Sequence, residues 1–65
     1  MKRTIGEKEH QACAANLVEF GYPGVTEDMI REIDEARRNG ESTMPHGIIG
    51  MFARKMLQDW EDGNE

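Results

Sequence analysis

The chain lacks most of the devices that hold small proteins together. Cys13 is the sole cysteine, so no internal disulfide can form, and the composition fits a reducing, cytoplasmic setting. No apolar stretch approaches the ~20 residues needed to span a bilayer, and no charged-then-apolar leader is present. The expectation is a cytoplasmic protein without a membrane segment. Basic residues are outnumbered, with 8 Lys plus Arg against 13 Asp plus Glu and a net charge of −5. That balance opposes binding to a phosphate backbone, which depends on basic patches, so duplex DNA is an unfavourable partner. Strand-forming runs, repeats and low-complexity tracts are missing as well.

What is present are three amphipathic segments cut by glycine. With 65 residues there is room for one domain, whose single core supplies roughly 3–5 kcal/mol. The pattern predicts an all-α, small three-helix bundle with helices at about 5–20, 27–39 and 45–61. Residues 62–65 form an acidic tail that is expected to fray.

In the first segment, Thr4 and Glu7 have the spacing of a capping box. His10, Cys13, Ala14, Leu17, Val18 and Phe20 share one face. Gly21 has the position of a left-handed C′ residue that lets Tyr22 fold back on Leu17. In the second, Thr26 is the expected N-cap, and Val25 and Ile30 stand at the hydrophobic-staple positions. Met29, Ile30, Ile33 and Ala36 make the buried stripe. Arg37 and Arg38 suit the negative helix end, and Gly40 closes it. In the third, Ile48, Ile49, Phe52, Ala53, Met56, Leu57 and Trp60 cover a broad arc. Ile33, Phe52, Met56 and Trp60 are expected to share one core.

The third helix opens oddly. Pro45 suits a first helical position, because its missing N–H is unpaired there anyway, with Ser42 or Thr43 capping from outside. Gly47 and Gly50 have no such reason, since each costs roughly 1 kcal/mol relative to alanine inside a helix. On a helical wheel Gly47, Gly50 and Arg54 lie away from the apolar arc, near Met51. A glycine pair there implies a groove into which something packs closely. The neighbour is either this chain's own helix 1 or 41–44 loop, or another molecule. Met44 and Met51 flank the segment, and methionine is an adaptable residue of binding surfaces. Met44, His46, Gly47, Gly50, Met51 and Arg54 are therefore the candidate protein-contact residues.

Other chemistries weigh less. His10 and Cys13 at i, i+3 have the spacing of two metal ligands, but His46 is the one other soft ligand. No cofactor or metal is expected. As a nucleophile Cys13 is badly placed, in mid-helix on a core face, whereas reactive cysteines occupy exposed electropositive sites. A half-buried histidine and a small apolar cysteine describe the pair better. Glu27, Asp28, Glu32, Asp34 and Glu35 are expected along the outer face of helix 2. Such a row either imitates phosphates or is a solvated surface, and Arg31 and Arg38 interrupt it. No catalytic constellation emerges, so no enzyme activity is expected.

The leading expectation is a small acidic protein-binding adaptor or inhibitor of a larger machine, whose partner is another protein or a second copy. In being short, acidic and poor in motifs it is similar to the small accessory proteins that bacteriophages encode. The alternative is a helix-turn-helix nucleic-acid regulator built from helices 2 and 3. The third reading is an anion- or nucleotide-binding module at the helix 3 N-terminus.

Overall fold

A computed structural model describes residues 4–63. They form three helices, α1 (Glu7–Phe20), α2 (Glu27–Arg38) and α3 (Ile48–Glu61), each in contact with the other two. Among the described residues there is no strand, and the three-helix bundle expected from the pattern is the architecture found.

Local signals set most of the boundaries. Gly21 has φ 130°, and Tyr22 N–H donates to Leu17 O at 3.0 Å, so α1 ends in the anticipated back-folded turn. Thr26 Oγ1 accepts from Met29 N–H at 3.4 Å, and Val25 and Ile30 are both buried. Gly40, at φ 74°, closes α2 while Glu41 N–H returns to Ala36 O. Asp62 and Gly63 donate to Gln58 O and Trp60 O, so the tail's first two residues continue α3 as a closing turn. Residues 64–65 lie outside the described part.

Two starts differ from expectation. The N-cap of α1 is Gly6, and Gly6 N–H donates to Glu9 Oε1 at 2.7 Å. The carboxylate that completes the cap is thus Glu9, and Thr4 and Glu7 do not form the box. The third helix begins at Ile48, not Pro45. His46 (φ 68°) and Gly47 (φ 62°) occupy consecutive left-handed conformations, which no helical turn accommodates. Gly47 is the cap residue, and neither Ser42 nor Thr43 supplies a side-chain cap.

The direction of the helices follows from their contacts. His10 meets Asp34 and Ile5 meets Arg38, so α1 and α2 are antiparallel. Asn16 meets Met56 and Phe20 meets Phe52, so α1 and α3 are antiparallel too. Helices α2 and α3 therefore run in the same sense. The 39–47 connector travels back along α2, bringing His46 to Glu32 at 3.3 Å.

The buried apolar residues are Ile5, Cys13, Ala14, Leu17, Val25, Ile30, Ile33, Ala36, Ala53 and Leu57. The innermost stripe of α3 is Gly50, Ala53 and Leu57. Its bulkier neighbours Ile49, Met56 and Trp60 flank that stripe, partly buried. The small residues Gly50 and Ala53 face inward, Gly50 beneath the 44–45 backbone, which rotates the expected arc. As a result Phe52 is 41% exposed and Phe20 73% exposed, and neither belongs to the core as anticipated. Ile48 and Val18 are exposed as well.

Candidate functional site

The glycine pair does not form an open groove. Gly50 is buried, and the Met44–Pro45 backbone of this chain lies directly over its Cα. A β-carbon at position 50 would collide with the Pro45 carbonyl oxygen and stand 2.8 Å from Met44 Cβ. Met44 itself is packed against the core. The neighbour that requires glycine is thus the chain's own connector. Gly47 has a different reason, its positive φ, and a β-carbon there meets open space.

Of the six expected contact residues, Met44, Gly47, Met51 and Arg54 line one shallow cleft of about 180 Å³ with Ser42 and Thr43. His46 turns aside to Glu32, and Gly50 lies beneath the connector. Met51 remains 66% exposed.

A larger apolar surface opens on the seam between α1 and α3. Phe20, Tyr22 and Phe52 form a triangle, with ring centroids 6.1–6.2 Å apart in each pair. These separations are ordinary for interacting aromatic rings. Beside it runs a groove of about 390 Å³, floored by Leu17, Phe20, Phe52 and Met56 and edged by Asn16, Lys55 and Asp59. Farther along the same seam Ala12 and Trp60 line a second depression with Lys8 and Glu9. The sequence reading assigned these phenylalanines to the core. The helical wheel carried a signal for their true place: Ile48, Phe52, Lys55 and Asp59 project together from α3, so Phe52 shares its face with two charges.

The second feature that the sequence reading missed is buried. Asp34 is 3% exposed, not part of the outer acidic row. Its Oδ2 receives His10 Nε2 at 2.8 Å and pairs with Arg38 at 3.2 Å. Its Oδ1 accepts Arg37 Nε and Nη2 at 3.1 and 2.8 Å. Arg37 also donates to Gln58 Oε1 at 2.9 Å and Glu61 Oε1 at 3.0 Å. The set thus ties all three helices together. Burial opposes ionisation of Asp34, but the hydrogen bonds from His10 and Arg37 and the charges of Arg38 and Arg37 outweigh it. The carboxyl is held below its ordinary value. An ionised carboxylate only accepts, so His10 Nε2 carries the shared proton. Burial likewise works against the Arg37 cation, yet its bonds to Glu61 and Asp34 win and its pKa is raised. Among the described residues no buried side-chain nitrogen or oxygen lacks a partner. This is the signature of a closed structural set rather than a site awaiting a ligand.

Cys13 is fully buried, and its thiol is pushed up to about 11, first by burial and then by the Asp34 charge. It is a core residue and holds no nucleophilic thiolate at neutral pH. Among the described residues no group of three or more His, Cys, Asp or Glu is arranged to hold a metal. None of the described helices is long and apolar enough to cross a membrane. Set against family models, curated proteins and solved structures, the chain matches none of them.

Proposed function

We propose that this chain is a protein-binding module whose contact surface is the aromatic seam between α1 and α3. The observation that carries this reading is the pair of exposed rings Phe20 and Phe52, joined by the half-buried Tyr22, beside an apolar groove. A domain with a small core has every energetic reason to bury both phenylalanines, since each is worth about 1.5–3 kcal/mol when removed from water. Leaving them outside, clustered rather than scattered, is the pattern of a surface kept for a protein partner. Met51 and the shallow cleft at Met44, Gly47 and Arg54 lie beside the first turn of α3 and extend the contact region. By occupying a partner's surface, the chain acts as an adaptor or inhibitor in the cytoplasm, in the manner of small bacteriophage accessory proteins.

Site-specific photo-crosslinking tests this. A benzophenone amino acid replacing Phe20 keeps an aromatic ring at the seam, and the same residue replacing Glu35 probes the acidic side of α2. In cells producing either variant, position 20 is expected to give a covalent protein adduct, either with another copy or with a different protein, and position 35 none. Absence of an adduct at position 20, or equal adducts at both, rejects the seam as the contact surface.

A further inference from the structure

We propose that the α1–α3 seam is a self-association surface, on which a second copy of this chain packs about a two-fold axis with Phe20 and Phe52 at the centre. The proposal rests on the reading of the seam as a protein-contact surface and names its occupant.

The monomer leaves its phenylalanines out of its core. The ten buried apolar residues include three alanines and a cysteine but no aromatic ring. Many chains of this length fold alone, but a single core so small rarely supplies more than about 3–5 kcal/mol, so association adds what the core lacks. One cysteine excludes an internal disulfide, and the described residues offer no metal cluster. With those two means absent, the side chains placed to supply association are the two phenylalanines. With Phe20 at 73% and Phe52 at 41% exposure, they leave about 170–280 Å² of side chain open. That is an apolar centre of suitable size for an interface of about 800 Å² per partner.

Charge on the seam also favours a second copy. The chain carries −5 overall, which by itself opposes pairing of two copies. The acid excess, however, is not on the seam. Glu32 and Glu35 line the opposite groove between α2 and the connector, and Glu27 and Asp28 are engaged by Arg31 on α2. The seam itself is edged by Lys8 and Lys55 against Glu9 and Asp59, two charges of each sign. A basic partner would find its complement on α2 rather than here. A surface with both signs around an apolar centre is complementary to itself. Lys55 and Asp59 are one helical turn apart and 3.4 Å from each other. A two-fold axis reverses their order on the facing copy, so each lysine is offered a second aspartate.

Sizing of the purified chain tests this. At about 100 µM, a concentration that reveals even weak pairs, light scattering is expected to give twice the 7.4 kDa of one chain. Phe20→Ser is expected to give the single mass while circular dichroism remains helical, because an exposed side chain contributes little within one copy. Lys55→Asp places like charges across the axis and should weaken association at least tenfold. Adding Asp59→Lys to that variant exchanges the two signs and should restore it. A wild-type chain that keeps the single mass overturns the proposal. So does a dimer indifferent to Phe20→Ser or Lys55→Asp, or a charge exchange that restores nothing. If the wild type is monomeric while the position 20 crosslinker still captures a different protein, self-association fails and the contact surface stands.

Discussion

Gly50→Ala is the sharpest test of how the connector and α3 fit together. Measured by intrinsic preference alone, alanine should stabilise a helix interior by about 1 kcal/mol over glycine. The structure reverses that sign. The added methyl would collide with the Pro45 carbonyl oxygen and stand 2.8 Å from Met44 Cβ. One obstacle is backbone and the other is the root of a side chain packed on the core, so neither swings away cheaply. Overpacking of this kind costs about 1–3 kcal/mol. A clash with backbone belongs at the upper end of that range, so after the ~1 kcal/mol gained in propensity the net loss is about 2 kcal/mol, a fall in Tm of about 8–16 °C for a domain of this size. Gly24→Ala is the internal control. A β-carbon there meets nothing within 4 Å, and its backbone has no positive φ, so that variant should be neutral or slightly stabilised. Thermal melts by circular dichroism, at equal protein concentration, decide the matter. A Gly50→Ala protein as stable as wild type, or more so, refutes the placement of the connector over α3.

Two further outcomes follow from the buried groups. Asp34 is held below its ordinary pKa in the folded chain, so its contribution is fully present above about pH 4, the unfolded value. It is lost as pH falls through the lower folded value. Melts should therefore show the Asp34 contribution constant from neutral pH down to about pH 5 and lost below about pH 4. Asp34→Asn should lower stability at pH 7 by about 3–5 kcal/mol, and a variant as stable as wild type would refute the network's role. Cys13 should resist thiol reagents in the native state and react at the rate of global unfolding, as its burial and raised pKa require. Rapid stoichiometric labelling of folded protein would show that the thiol is accessible after all.

The parts of the fold that were legible in sequence are those set by nearest neighbours along the chain. Gly21 and Gly40 sit at left-handed turns, Thr26 caps α2, and Val25 and Ile30 are both buried, all over a few residues. What was not legible depends on how closely helices approach. The wheel of α3 places large apolar residues over nearly half its circumference, and it does not say which part faces inward. The packing turns Gly50, Ala53 and Leu57 inward, Gly50 beneath the chain's own connector, and that choice turns Phe52 outward. Asp34 is a different case. Ile30, Ile33, Asp34 and Arg37 share the helical spacing of a buried stripe, so the position was readable. Polarity argued it outward, because its His10 partner comes from α1 and Arg37, which shares its burial, is anchored by Gln58 and Glu61 on α3. For the candidate site, the glycines at the start of α3 left two neighbours open, the chain's own loop or another molecule, and the loop is the one that lies over Gly50. The aromatic seam appears only once α1 and α3 are set side by side.

The buried Asp34 set also bears on handedness. Three helices with apolar stripes can be arranged with α3 on either side of the α1–α2 pair, and the two mirror-related layouts bury similar hydrocarbon. Apolar contacts alone leave little to choose between them. Asp34 faces His10 on α1, while Arg37 reaches across to Gln58 and Glu61 on α3. Moving α3 to the other side would take Gln58 and Glu61 from Arg37, whose side chain is only 5% exposed, and leave it Asp34 on its own helix. A buried polar group left short of a partner costs about 1–3 kcal/mol, a large share of the stability of so small a domain. The polar set thereby favours the observed layout, a distinction that the oily stripes do not make.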